Sequence, residues 1–150
     1  MHKYRNIAIS SIVTFLGISA LAELAHITKQ PLLIAPFGAS FLILSAMPES
    51  PFARPRNIAM GYLLSAIVGL LVLKTVGSGT LALGLSVALA IFVMDVSGTV
   101  HPPAGAVPLL VLLSNPGWKF LWTPILVSAL ILVGLSLVNR ELFRRKLLYV

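Results

Sequence analysis

The chain alternates between long apolar runs and short segments rich in proline, glycine and charge. A helix of about 20 residues spans a hydrocarbon core of about 30 Å, so the long runs predict four transmembrane helices. These runs are Ile7 to Ala22, Asn57 to Leu73, Thr80 to Val96 and Leu121 to Val138. Two shorter apolar segments, Pro36 to Met47 and Pro103 to Ser114, lie between them. Each rises only about 18 Å as a helix, which predicts two broken membrane segments.

The two short segments resemble each other: PFGASFLIL (Pro36 to Leu44) aligns with PAGAVPLLV (Pro103 to Val111). The offset that aligns them also places the second long run over the last one. Three segments per repeat is an odd number, so the second repeat would enter the membrane from the opposite side. A chance likeness between two proline-glycine breaks is the alternative.

We therefore predict an all-α integral membrane protein with about six membrane segments. They form two inverted three-segment repeats, about 7–74 and about 80–140, each with a broken half-helix, in a single transmembrane domain over residues 1–150.

Lysine and arginine cluster at the ends of the apolar runs. With six crossings and a cytoplasmic N-terminus, both termini are cytoplasmic, and only Lys29, Lys74 and Lys119 of the 11 Lys and Arg residues lie outside. This distribution obeys the positive-inside rule. The lack of an Arg/Ser-rich leader before Ile7 favours a bacterial inner (plasma) membrane over a plastid envelope. Re-entrant hairpins are the alternative: they would move Arg54 and Arg56 outside and weaken the bias.

Composition narrows the function classes. The chain is 58% hydrophobic and 10% charged, which is typical of a protein dissolved in a lipid bilayer. Its net charge of +7 does not predict nucleic-acid binding, because the cations end apolar runs instead of forming one basic face. With no cysteine and three histidines, we expect no metal and no cofactor. No catalytic constellation stands out, so we do not expect an enzyme.

The proline-glycine segments predict a site for a small anion. Proline is favoured at the first helical position, so Pro36 and Pro103 are predicted to begin half-helices whose N-termini converge near mid-membrane. Free amides and the positive end of each helix dipole would face an anion there, and glycine lets it approach the backbone. The candidate anion-binding residues are Phe37, Gly38, Ala39 and Ser40 in the first segment, and His101, Ala104, Gly105 and Ala106 in the second.

Other residues near these segments have predicted structural roles. His101 could donate a hydrogen bond to the anion or take up its proton, or be a packed structural residue. Pro102 completes the break, and an ion pair is predicted between Asp95 and Arg54 or Arg56.

Gly61, Ser65 and Gly69 recur every four residues, which predicts a helix-packing face within the chain or between subunits.

Three motifs together resemble one known family. His101-Pro102-Pro103, the segment ESPFARPRN (Glu49 to Asn57) with the glycine-rich helix after it, and PFGAS (Pro36 to Ser40) are similar to the HPP integral membrane proteins. The resemblance covers about Ala35 to Leu113 and implies nitrite transport across a bacterial or plastid membrane. Tyr62 stands where relatives usually have histidine, which leaves a role for that position in proton movement open.

The sequence thus predicts a membrane transporter of a small monovalent anion, with nitrite implied by the resemblance. A bundle of six short segments provides little protein around a transport pathway, so we expect a homo-oligomer in the lipid bilayer. The alternatives are a non-transporting scaffold or assembly protein, and a cation or proton pathway that uses Glu23, His26 and Asp95.

Overall fold

The computed structural model describes residues 2–29 and 34–147, and this part of the chain is helical without strands. Six α-helices follow in order: α1 (His2–Thr28), α2 (Ile34–Ala46), α3 (Pro55–Thr75), α4 (Thr80–Val96), α5 (Val107–Ser114) and α6 (Val127–Leu147). Short 3-10 turns at Pro51–Ala53, Pro102–Ala106 and Trp118–Leu121, and a π turn at Trp122–Leu126, connect them.

The helices predicted at Asn57 to Leu73 and Thr80 to Val96 are present, as α3 and α4. Pro55 opens α3, where its missing N–H has no helical partner to lose. Gly77, at φ 99°, follows the end of α3 in a conformation that side-chain-bearing residues rarely adopt. By length and composition, the stretches 55–75 and 118–140 could each cross a membrane.

The last apolar run, predicted as a transmembrane helix from Leu121 to Val138, is long and apolar enough to cross a membrane, but it is not one continuous helix. Thr123 has extended backbone angles, φ −134° and ψ 113°, and regular α-helix begins only at Val127. Pro124 explains the break, since its ring clashes with the preceding helical turn and it has no amide hydrogen to donate.

The helices alternate in direction along the chain. Thr14 pairs with Ser45 at 3.0 Å, while Gly17, one turn later in α1, packs against Phe41, one turn earlier in α2. These two helices are therefore antiparallel. On the other side of the bundle, Arg56 near the start of α3 donates to the Ser97 carbonyl oxygen just after α4, and residues 76–79 join the opposite ends of these two helices, so they are antiparallel as well.

α5 runs parallel to α3. Gly61 packs against His101 and Ala104, and Gly69, two turns later, packs against Pro108 and Val111. Two ends of the bundle follow from these directions. We call the end with Arg54, Arg56 and Asp95 the arginine end, and the end with Lys74 and Lys119 the lysine end.

The face formed by Gly61, Ser65 and Gly69 packs inside the chain, which answers the question that the sequence left open. All three residues are buried, and they contact α4, α5 and the segment before α5. The same helix buries Tyr62 and Ala66 completely on its other inward positions. α3 is thus the centre of the bundle, and small residues let its neighbours approach its backbone.

Candidate functional site

The two broken segments meet through their polar side chains. Ser40 Oγ of α2 lies 2.7 Å from Nε2 of His101, the residue that precedes the 3-10 turn Pro102–Ala106. Both side chains are fully buried. This contact joins the PFGAS and HPP motifs, which lie far apart in the sequence, and it defines the candidate site.

The first segment differs from its prediction in where the helix begins. α2 starts at Ile34, so Pro36 is its third residue and not its first. The amides of Gly38 and Ala39 therefore lie within the helix, where they point at carbonyls one turn earlier and are not free for an anion. Ile34 and Ala35, which precede Pro36, are already helical, and residues 30–33 lie outside the described part of the chain.

The second segment uses its amides internally as well. Residues Pro102–Ala106 form a 3-10 turn, so Pro103 does not begin an α-helix, which starts at Val107. The amide of Ala104 donates to the His101 carbonyl oxygen at 2.9 Å. The prediction of two converging rows of free amides is thus corrected: the contact is between side chains, and the 3-10 turn meets the second turn of α2 instead of its tip.

Each ring nitrogen of His101 has a protein partner. Nδ1 lies 2.8 Å from the Phe52 carbonyl oxygen in the turn before α3. Ser40 Oγ, on the other side of the ring, also lies 2.8 Å from the Tyr62 hydroxyl and 3.2 Å from the Pro36 carbonyl oxygen. Among the described residues, no buried side-chain nitrogen or oxygen lacks a partner. The site is a closed hydrogen-bonded cluster.

Aromatic packing surrounds this cluster. The Phe37 ring stacks on Tyr62 with centroids 4.7 Å apart, and the Tyr62 ring lies 5.4 Å from the His101 ring. Phe37 and Tyr62 are almost completely buried. Phe37 therefore lines the cluster as a ring, and its predicted role as an amide donor to an anion stays a prediction.

The extended residues before His101 are held by three kinds of bond. Asn57 Nδ2 of α3 donates to the Val100 carbonyl oxygen at 3.0 Å. Ser97 and Thr99 pair through their hydroxyls at 2.7 Å, and the Thr99 amide donates to Met94 in the last turn of α4. Gly98 supplies the positive φ of 61° that turns the chain. These contacts fix the position from which His101 enters the core.

The arginine end shows a different pairing from the predicted one. Arg56 donates to the Ser97 carbonyl oxygen at 3.1 Å, not to the carboxylate of Asp95. The negative end of the α4 dipole lies here, and it attracts a guanidinium as a carboxylate does. Arg54, Arg56 and Asp95 are all exposed at this end.

The remaining predicted site residues range from buried to exposed positions. Pro36, Pro103 and Ala104 are buried, and Gly105 and Ala106 are half-buried. Gly38 is half-buried as well, whereas Ala39 and Pro102 are exposed. A Cβ added to Gly38 or Gly105 would meet no atom within 4 Å. Open space thus lies where a side chain would begin at each of these two glycines.

The site is closer to one end of the bundle than predicted. Gly61, which touches His101, lies about 9 Å along α3 from Pro55, and α3 is about 30 Å long. The cluster is therefore about a third of the way from the arginine end to the lysine end. The residues of the proposed cation pathway are not brought together, since Asp95 lies in the last turn of α4 at the arginine end, whereas Glu23 and His26 lie near the C-terminus of α1, toward the lysine end.

Two parts of the site were missing from the sequence prediction. The Phe52 carbonyl belongs to the backbone, so the residue type gave no indication of its hydrogen bond to His101. Asn57 was noted only as the last residue of the motif ESPFARPRN, without its bond to Val100. Asn57 opens a transmembrane run, and a buried amide there was a signal for a hydrogen-bonding role. Within the described residues, no three His, Asp or Glu side chains cluster in a way that could hold a metal ion.

Comparison with known proteins identifies the class to which this bundle and its buried histidine belong. The chain matches the HPP transmembrane-region family over residues 1–147. Two transmembrane proteins of Dictyostelium discoideum are similar to it, one 34% identical over 147 residues and the other 30% identical over 149 residues. No solved structure matches the chain.

The chain is a membrane protein, and it belongs to the HPP transmembrane family. The two alignments cover 90% and 91% of this chain but only 52% and 48% of the relatives. It therefore spans about half the length of the curated relatives it matches.

Proposed function

We propose that this protein moves a small monovalent anion, nitrite first among them, across a membrane through the Ser40–His101 contact. The observation that carries the proposal is a fully buried histidine where two interrupted membrane segments meet. Ionisable groups at such depth are costly, and they mark substrate pathways more often than they serve packing alone. Irregular backbone within a membrane is tolerated where protein or a cavity surrounds it. Residues 99–106 are buried or half-buried, with the exception of the exposed Pro102, which supports this reading.

Transport in this arrangement requires the contact to open. Both partners of the 2.7 Å bond are sealed within the protein, so an anion can reach His101 only by taking the place of the Ser40 hydroxyl. A charge-assisted bond to an anion is stronger than the neutral bond it replaces, which offsets part of the cost. The structure then corresponds to an occluded state, and access alternates between the two ends of the bundle.

The helix directions support the inverted-repeat part of the proposal. α1, α2 and α3 alternate in direction, and α4, α5 and α6 repeat the alternation with the opposite starting direction. In an inverted repeat, alternating access arises when one half moves against the other around a shared site. Ser40 belongs to the first half and His101 to the second.

The proposal also includes a bacterial plasma membrane location with cytoplasmic termini and a homo-oligomer. α4 presents an exposed apolar face suited to lipid or to a second copy, formed by Leu81, Leu85, Leu89, Phe92 and Val96. Chemical crosslinking in native membranes tests the oligomer, and recovery of monomer alone would contradict it.

Flux measured in proteoliposomes tests the proposed transport. Vesicles that contain the purified protein and an internal nitrite reporter should take up nitrite faster than protein-free vesicles. His101→Ala should abolish this difference, whereas His26→Ala, at an exposed position on α1, should preserve it. Uptake no faster than in protein-free vesicles would contradict transport.

A non-transporting scaffold is the second candidate, and one observation favours it. Every polar atom of His101, Ser40 and Tyr62 already has a partner in the protein, as a purely structural cluster requires. The same flux assay separates the two functions, because a scaffold would show no nitrite uptake with any variant.

A further inference from the structure

The partners of His101 fix which of its nitrogens carries a proton. A carbonyl oxygen only accepts hydrogen bonds, so the contact from Nδ1 to the Phe52 carbonyl oxygen requires a proton on Nδ1. In the neutral ring, Nε2 then has a lone pair and no proton. The neutral histidine consequently faces Ser40 as an acceptor.

The Ser40 hydroxyl can adapt to either charge of the ring. When His101 is neutral, Ser40 donates to Nε2 at 2.7 Å and accepts from the Tyr62 hydroxyl at 2.8 Å. When Nε2 is protonated, it donates to Ser40 Oγ, and the hydroxyl proton rotates toward the Pro36 carbonyl oxygen at 3.2 Å. Tyr62 donates in both cases. Every polar atom stays satisfied, and no heavy atom has to move.

Few charges face this ring. α2 carries no ionisable side chain, and neither do residues 102–106, which follow His101. Tyr62 is the titratable group in contact with the ring. The charged side chains on the other packed segments are exposed at the ends of the bundle: Glu49, Arg54, Arg56 and Asp95 at the arginine end, and Lys74 at the lysine end. An imidazolium buried here would lack a counter-ion within the described contacts.

An anion and a proton therefore need each other at this site. An anion cannot bind the lone pair of a neutral Nε2, because both carry negative charge density. A proton on Nε2 without an anion leaves an uncompensated buried charge, which is strongly unfavourable. Binding of either one raises the affinity for the other, as linkage requires.

From this geometry we infer that the proton is a co-substrate, and that each anion binds together with one proton on Nε2 of His101. The inference rests on the transport function proposed above. Water on the entry side supplies the proton: hydronium loses one O–H bond, Nε2 gains an N–H bond, and the exit side reverses the exchange. One monoanion and one proton cross together, so transport is electroneutral.

Driving forces applied separately in proteoliposomes test the coupling. Nitrite uptake is measured under two separate conditions, an acidic exterior and a membrane potential set by potassium and valinomycin. The uptake of protein-free vesicles is subtracted, because nitrous acid crosses lipid unaided. We expect uptake to increase several-fold with the pH gradient and to be unchanged by either sign of potential. An internal pH dye should report one proton per nitrite.

Two outcomes overturn the inference and are distinguishable. Uptake that follows the potential and carries no protons contradicts the coupling while it supports transport. No uptake above that of protein-free vesicles contradicts both proposals.

Two variants sharpen the test. His101→Gln keeps an N–H donor but cannot titrate, so its remaining uptake should respond to potential and carry no protons. Tyr62→Phe keeps the ring, Ser40 and His101, and should retain one proton per nitrite. Proton-coupled uptake by His101→Gln, or uncoupled uptake by Tyr62→Phe, would contradict the assignment of the proton to Nε2.

Discussion

Gly61 and His101 lie so close together that no side chain fits between them. A Cβ added to Gly61 would lie 2.9 Å from the Cβ of His101 and 3.3 Å from the Thr99 carbonyl oxygen. The absence of a side chain on α3 is therefore what allows His101 to reach Ser40. The position of His101 in the site therefore depends on the close approach of its segment to the α3 backbone at Gly61.

The Gly61→Ala variant tests this close approach. We expect it to push the 99–104 segment away, to destabilise the protein by about 1–3 kcal/mol, as overpacking usually does, and to reduce nitrite uptake. Gly134→Ala in α6 is the matched control, because its Cβ would meet no atom within 4 Å. Thermal unfolding in detergent measures the difference, and equal midpoints for the two variants would contradict the contact.

Ser40→Ala removes the hydroxyl that links His101 to Tyr62. His101 and Tyr62 each lose a hydrogen bond to the Ser40 hydroxyl, at a cost of about 1–3 kcal/mol for each group left unsatisfied. Ser114→Ala is the control, since Ser114 bonds only to its own helix at the Leu110 carbonyl oxygen. Denaturant titration in micelles should show a clear loss for Ser40→Ala and little change for Ser114→Ala. A similar stability for both would exclude a structural linkage at Ser40.

Asn57→Asp tests how the segment before His101 is held. The carboxylate cannot donate to the Val100 carbonyl oxygen, so this segment should open more often. Hydrogen exchange at the Ala104 amide, which bonds to His101, should become faster by about tenfold for each 1.4 kcal/mol lost. Asn115→Asp, at an exposed turn position, should leave this exchange rate unchanged.

Cysteine labelling tests the six-crossing arrangement. The chain has no cysteine, so each introduced residue is the sole thiol. We expect Arg54→Cys and Asp95→Cys to react with an impermeant reagent from one side of the membrane, and Lys29→Cys and Lys119→Cys from the other. Re-entrant hairpins would instead place all four positions on the same side of the membrane.

The long helices were predictable because their signals are local. An apolar run that begins after Pro55 and stops before Gly77 defines α3, and Gly79 precedes α4 in the same way. The break at Thr123 also had a local signal in Pro124, but the strength of the surrounding apolar run outweighed it.

The site was predictable only in part. Sequence reasoning selected Ser40 and His101, but each for its own half-helix, and their contact arises from tertiary packing between residues far apart in the chain. The start of α2 before Pro36 was not predictable from proline preference, because proline is tolerated throughout the first helical turn. The sequence placed Gly61 in a helix-packing pattern, but it did not indicate that His101 packs against this glycine.

Nitrogen NMR of His101 in lipid tests the central claim most directly, namely that a small anion binds at Nε2. Replacing His2 and His26 with glutamine leaves His101 as the sole one of the three histidines. We predict that nitrite shifts the Nε2 resonance from its unprotonated to its protonated position while Nδ1 keeps its N–H signal, and that sulfate does neither. An Nε2 resonance unchanged by nitrite, in a preparation that transports nitrite, would contradict the account.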